Sequence, residues 1–327
     1  MANDLTIYLH FPCFDGVISA VLASEYLAHK RGWSTTDVVP LGYEERETWV
    51  SRPLSKPAAV VDYLYHPDAD LWADHHETTF ATPELKAQWQ HQPSALSFYD
   101  PKALSCAAVI WRNTYQSLRQ PRFREMVHWA NRIDGARYAS VEEAVLGEAP
   151  ALRINLSLAS DASRDYCWSL IASLRAKSLA EVAASKEVEE RYRKVRKAIE
   201  TGQKHFSGAS RLERDGIVVF HAENSEKASL SRYAPYLEYP KALYSVGILN
   251  SEDGLKITAM RNPWRHFRSV PLGQIFRRYG GGGHQRVASV LVKDSQNAEQ
   301  TLRFILADLR RARSMKTAPS KELVAGD

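Results

Sequence analysis

The stretch Asp70-Leu-Trp-Ala-Asp-His-His-Glu-Thr-Thr79 decides how this chain is read. An apolar run ends in Asp74, His75 and His76, three consecutive residues that can all bind metal or move protons. If Asp70 to Ala73 is a strand, the three stand at its C-terminal end, where open α/β sheets place their ligands. Carboxylate and neutral imidazole are ligand types for divalent first-row metals. Taken alone, the triplet also fits a surface turn. Its weight comes from the other apolar runs, which end in the same way.

Leu5 to Leu9 reads as a buried first strand and runs into His10-Phe-Pro-Cys-Phe-Asp-Gly16, where Pro12 and Gly16 signal a turn. Val17 to Ala28 is helical by the spacing of Ile18, Leu22 and Tyr26. Val38 to Leu41 is a second strand, and Ala58 to Val61 a third that ends at Asp62. Ser105 to Tyr115 and Phe123 to Ile133 are helical, the latter running into Asp134-Gly135. Strands alternating with helices predict an α/β fold with a mostly parallel sheet and flanking helices.

The strand ends then offer His10, Cys13, Asp15, Asp62, Asp74, His75 and His76, with Asp134 from a helix end. Each has a plain structural explanation: a polar strand end for His10, a turn or cap for Asp15-Gly16, a helix-terminal turn for Asp134. Asp62, after four apolar residues, is less easily explained that way. Packed together without a cation, the carboxylates would repel one another at a high desolvation cost. Two divalent cations solve that problem. A shared carboxylate bridges a pair roughly 3.5–4 Å apart, the arrangement that clamps both oxygens of a phosphoryl displacement.

The texture changes after residue 150. Residues 168 to 204 carry no Pro and no Gly before Gly202, and Val188, Tyr192, Val195 and Ile199 form a one-sided apolar stripe. The expected organisation is a metal-binding catalytic domain over 1–160, a long helical connector over 161–207, a smaller α/β domain over 208–315 and a disordered tail over 316–327. In the second domain Gly216 to Phe220, Leu243 to Leu249, Leu255 to Met260 and Ala288 to Val292 are strand-like, and Ala298 to Arg310 is a closing helix. Tyr279 and four glycines lead into His284, and Leu255 to Val292 holds several arginines but no Asp or Glu. Backbone N–H groups of Gly281, Gly282 and Gly283, and fork-shaped guanidinium groups, suit a phosphate.

The chain has 327 residues, 44% hydrophobic and 25% charged, with a net charge of +5, the profile of a globular protein of about two domains. No apolar run approaches the roughly 18 residues of a membrane span, and no signal peptide is read at the N-terminus. Cys13, Cys106 and Cys167, odd in number and far apart, argue for a reducing, cytoplasmic setting rather than a disulfide framework.

These residues resemble the DHH phosphoesterase superfamily, in the branch with a C-terminal DHHA1 domain. That branch includes RecJ-type exonucleases, nanoRNase/pAp phosphatases and cyclic-dinucleotide phosphodiesterases. Asp74-His75-His76 matches the name-giving motif and Gly280 to His284 the DHHA1 signature. His10 to Gly16 resembles the first motif, Asp62 the second and Asp134 the fourth; Arg261 resembles the arginine that precedes the glycines. The similarity spans about residues 5 to 312.

The resemblance implies a metal-dependent phosphoesterase that hydrolyses short oligonucleotides or small nucleotides with a two-metal-activated water. It implies two divalent ions, usually Mn2+, with Mg2+, Co2+ or Zn2+ as substitutes. By carry-over His10, Asp15, Asp62, His75 and Asp134 are the ligands, with Asp62 bridging. Asp74 orients a histidine, His76 faces the phosphate, and Arg261, the glycine backbone and His284 bind the substrate. No membrane partner is implied, and a homodimer is compatible with the family. One departure matters: the first motif commonly reads Asp-x-Asp, and here it is Cys13-Phe14-Asp15. A thiolate is softer than a carboxylate and suits Zn2+ better than Mn2+. The alternative function is therefore a nucleotide-binding or regulatory module of the same fold, with catalysis weakened at Cys13.

Overall fold

A computed structural model describes the chain except for residues 1–2, 43, 92–95, 161–162, 226, 252–253, 284 and 318–327. The chain divides into two compact units, residues 1–138 with 147–195 and residues 139–146 with 196 onward.

The first unit holds a five-stranded, all-parallel sheet. Its strands are β1 (Asp4–His10), β2 (Ser34–Leu41), β3 (Ala58–Val61), β4 (Leu71–Asp74) and β5 (Ser97–Tyr99), in the order β2-β1-β3-β4-β5. Side chains alternate across it, as a strand's period of two requires. Leu5, Ile7, Leu9, Ala59, Val61, Leu71 and Ala73 enter one core, and Tyr8, Ala58, Val60 and Trp72 enter the other. Both faces are therefore buried, the usual condition of a parallel sheet.

The first core is closed by helices α1 (Phe14–Arg31), α3 (Cys106–Thr114), α4 (Pro121–Asp134), α6 (Pro150–Leu158), α7 (Arg164–Ala176) and α8 (Leu179–Ala183). On the other face Trp49 packs edge-on to Tyr8 and Tyr63, and Trp72 packs with Tyr65, Phe80, Trp89 and Tyr99. Trp89 lies on α2 (Pro83–His91). All five strands point the same way, and the order reverses direction at β1. The ends of β1, β3 and β4 thus share one rim, beside the switch point where such sheets bind ligands.

Residues 164–208 form three helices in succession, α7, α8 and α9 (Lys186–Gly208). Tyr166, Leu170, Ile171 and Leu174 of α7, with Leu179 and Val182 of α8, are buried in the first core. Only α9 runs from one unit into the other. Its apolar stripe is as spaced in the sequence: Val188, Tyr192 and Ile199 are buried and Val195 half-buried.

The second unit takes in α5 (Val141–Leu146), α10 (Ala234–Glu238), α11 (Leu272–Arg277) and α12 (Ser295–Thr317). Its sheet is mixed, in the order β10-β11-β9-β8-β7-β6. The strands are β6 (Ser210–Leu212), β7 (Ile217–Asn224), β8 (Tyr244–Ser251), β9 (Gly254–Arg261), β10 (Gly282–Gly283) and β11 (Val287–Val292). Only the β7–β8 pair is parallel. The closing helix α12 extends through Thr317, past the start expected for the tail at 316; residues 318–327 lie outside the described part. Among the described residues no helix is long and apolar enough to cross a membrane.

Candidate metal centre

The centre assembles on the rim of the parallel sheet. His10 is the last residue of β1, Asp62 follows β3, Asp74 ends β4, and His75 and His76 follow it. Cys13 and Asp15 open α1, and Asp134 closes α4. Gly16 makes the turn after β1 feasible: a Cβ there would lie 2.0 Å from the His10 carbonyl oxygen. All eight sequence-derived residues of the first unit meet here, in three overlapping groups of close ligand atoms. These are His10, Cys13 and Asp62; Asp15, His75 and Asp134; and Asp62, Asp74, His75 and His76.

Asp15 is held by the start of α3. Its Oδ2 accepts from Cys106 N–H at 2.6 Å and its Oδ1 from Ala107 N–H at 2.9 Å. A carboxylate is well placed at the positive end of a helix. Asp62 adopts φ +56, a left-handed conformation rare outside Gly, Asn and Asp. Such outliers concentrate at functional sites.

His75 supplies the decisive geometry. Its Nδ1 lies 3.3 Å from the Ala103 carbonyl oxygen, which can only accept, so Nδ1 carries the proton and Nε2 presents a lone pair. That Nε2 faces Asp134 Oδ2 at 3.4 Å and both Asp15 Oδ2 and Asp62 Oδ1 at 3.6 Å. Nε2 and Asp62 Oδ1 are buried without a hydrogen-bond partner. These separations are too long for hydrogen bonds, and four acceptors turned toward one another repel. Donor atoms at about 2.1 Å from a tetrahedral cation stand roughly 3.4 Å apart, so the donor set fits a divalent ion. Asp62 Oδ2 turns the other way, 3.6 Å from His10 Nδ1. One carboxylate thus faces both halves of the centre.

The electrostatics follow from burial. Asp62 is raised well above the usual carboxylate range, by burial first and then by the charges of Asp15, Asp74 and Asp134. Asp15 is pushed up to about 6, chiefly by burial and then by Asp134. Burial, with help from His76 and Arg46, lowers His10 to about 4, which leaves its imidazole neutral and fit to ligate. The Cys13 thiol is pushed up by burial and by Asp62, Asp134 and Asp15. A bound cation reverses that balance, because it favours every deprotonated ligand.

His76 behaves differently. Its Nδ1 donates to Asp74 Oδ1 at 2.8 Å, and the same oxygen accepts the His75 backbone N–H at 2.7 Å. Burial works against a charge on His76. The Asp74 hydrogen bond and the charges of Asp74, Asp134 and Asp15 outweigh it, so its pKa stands above the ordinary histidine value. His76 is one-third exposed at the rim and can present Nε2–H to an anion.

Sequence reasoning missed three contributors. The Ala103 carbonyl sets the His75 tautomer, and the Cys106 and Ala107 N–H groups hold Asp15; backbone groups leave no side-chain signature. Ser105, which caps α3 by accepting from Ala108 N–H, was the available clue. Arg46, from the short 3-10 turn Glu44–Glu47, adds a positive charge near His10.

The second-unit residues make contacts within their own unit. The Arg261 guanidinium donates to the Asn262 and Arg265 carbonyls at 3.0 and 2.8 Å and lies over the Phe267 ring. It therefore anchors the 262–267 loop. Gly282 and Gly283 pair with Ser289 and Ala288 of β11. A Cβ at Gly281 or Gly283 would lie 2.5 Å from Ser289 O or 2.4 Å from Val287 O, whereas Gly282 has open space. The glycine run thus serves close backbone approach to its own neighbouring strand. His284 lies outside the described residues.

No protein-family model and no curated protein sequence matches the chain. Solved structures do. The pGpG-specific phosphodiesterase PggH of Vibrio cholerae aligns with a TM-score of 0.71 at 17% identity, over 94% of this chain and 99% of that one. RecJ of Thermus thermophilus in complex with Mn2+ aligns with a TM-score of 0.56 at 15% identity, over 94% of this chain and 52% of that one. The DHH domain of a protein assigned to a family of ribosomal proteins aligns with a TM-score of 0.52 at 11% identity, over 94% of this chain and 87% of that one. The fold is the DHH fold. At these identities the likeness carries the architecture, and the chemistry has to be argued from this chain's own residues.

Proposed function

We propose that the chain is a metal-dependent phosphoesterase acting on small nucleotides or short oligonucleotides. The observation that carries this is the buried lone pair of His75 Nε2, aimed at Asp15, Asp62 and Asp134 with no hydrogen-bond partner. The ligand set is His10, Cys13 and Asp62 on one side, and Asp15, Asp62, His75 and Asp134 on the other. Divalent ions there supply Lewis-acid charge for phosphoryl displacement. Asp74 holds His76 by its Nδ1 and raises its pKa. His76 in turn donates from Nε2 to a phosphoryl or leaving-group oxygen. Substrate binding is assigned to the second unit, to Arg261, Gly281, Gly282, Gly283 and His284. A nucleotide substrate is supported by the structural likeness to PggH, a pGpG-specific phosphodiesterase.

The test is hydrolysis of dinucleotides and short oligonucleotides by chelator-stripped protein, with and without restored Mn2+. Asp62→Asn and His75→Ala are run alongside and checked for fold by circular dichroism. Activity should require the ion and vanish in both variants. Near-normal turnover in either variant removes this reading. Tight metal binding with no hydrolysis of any phosphoester favours the non-catalytic nucleotide-binding module instead.

A further inference from the structure

We infer that the two halves of the centre take unlike ions: a thiophilic, borderline cation such as Zn2+ or Co2+ on His10, Cys13 and Asp62, and a hard cation such as Mn2+ or Mg2+ on Asp15, Asp62, His75 and Asp134. The inference rests on the two-metal reading above.

The two donor sets differ in kind. One half offers imidazole nitrogen, sulfur and a carboxylate oxygen, and the other offers imidazole nitrogen with three carboxylates. Asp62 joins them through opposite oxygens, Oδ2 toward His10 and Oδ1 toward His75. Its Oδ1 is buried and lacks a hydrogen-bond partner, which points to a ligand between the halves. Sulfur selects softer ions, whereas carboxylates suit Mg2+ and Mn2+.

Cys13 is the thiol available for this. Cys106 gives its S–H to the Ala73 carbonyl at 3.1 Å, and Cys167 is buried in the first core. Cys13 instead stands at the N-cap of α1, with its sulfur in one group of close ligand atoms with His10 and Asp62. The positive end of that 18-residue helix favours an anionic sulfur.

The test is spectroscopic and uses the full chain, stripped of metal and then titrated with Co2+. A sulfur-to-cobalt charge-transfer band should appear, saturate at one ion per chain and be abolished by Cys13→Ser. Zn2+ affinity, measured by competition with a chromophoric chelator, should fall in Cys13→Ser by at least the roughly 10- to 100-fold that losing a supporting neighbour of a metal ligand costs. Mn2+ bound at the carboxylate-rich half, followed by electron paramagnetic resonance, should be unchanged. Cys13→Asp should raise tightly bound Mn2+ from one to two ions per chain. If the wild type binds two Mn2+ with equal affinity and no cobalt–sulfur band forms, Cys13 is not a ligand; this inference fails and the two-metal reading stands. If the wild type binds no divalent ion, both fail.

Discussion

Relative to Asp15→Asn, metal-free wild type should lose stability as pH rises from about 4 to about 6 and regain it when a divalent ion is added. Asp15 is 1% exposed, and its carboxyl is pushed from 3.8 up to about 6. Between those values the native state holds a proton that the unfolded chain has released, so stability falls with rising pH. At about 1.4 kcal/mol per pH unit, the loss amounts to about 3 kcal/mol by neutral pH. Asp62 is raised by the same causes; His10, lowered to about 4, acts in the opposite direction over this range because the unfolded chain there holds its proton, and the comparison with Asp15→Asn removes that contribution. A divalent ion replaces the protons and cancels the repulsion among the carboxylates. For a unit of this size 1 kcal/mol moves Tm by about 2–4 °C, so saturating Mn2+ should raise Tm by roughly 6–12 °C at pH 7.5. The gain should be small at pH 4.5, where protons already neutralise the site. Scanning calorimetry of chelator-treated protein across this range, with and without Mn2+, measures both effects. Asp62→Asn sharpens the test, because Asn tolerates the left-handed backbone and removes one charge. Metal-free Asp62→Asn should melt above metal-free wild type at pH 7.5, yet gain less from Mn2+. A metal-free stability difference from Asp15→Asn that stays flat or rises between pH 4 and 6, with no Mn2+ shift, would refute this account of the charge cluster.

Two further outcomes follow from the geometry. Gly282→Ala should change stability little, whereas Gly281→Ala should destabilise the second unit by about 2 kcal/mol or more, because its Cβ meets Ser289 O and Val290; urea denaturation compares them. Asp74→Asn should lower kcat by roughly 10²–10⁴-fold with metal content largely retained, since it removes the charge that raises the pKa of His76; single-turnover kinetics with metal analysis separates the two effects.

The sheet of the first unit was legible because its strands are short apolar runs that stop at polar residues, as at Val61-Asp62 and Ala73-Asp74. Their shared rim followed from parallel direction alone. β5, with half-buried Ser97 to Tyr99, carries no such run and went unread, as did α2, none of whose residues is buried. Over the expected connector Ala, Glu, Lys and Arg advertise helix without saying what the helix packs on; Leu170 and Leu174 answer that only in three dimensions. The glycine run was found, but its nearest partner is β11. Residue type could not show that a missing side chain serves strand pairing.

The left-handed backbone at Asp62 narrows what this position can become over generations. Only Gly, Asn and Asp sit there readily. Of these three, Asp alone offers two charged oxygens facing opposite ways. Substitution by bulkier acids is blocked by the main chain, and the substitutions the main chain accepts lose the bridging charge. Descendants of this chain that give up the metal pair while keeping the fold should therefore carry Asn or Gly at 62. That single position would mark an inactive lineage more surely than changes in the neighbouring histidines.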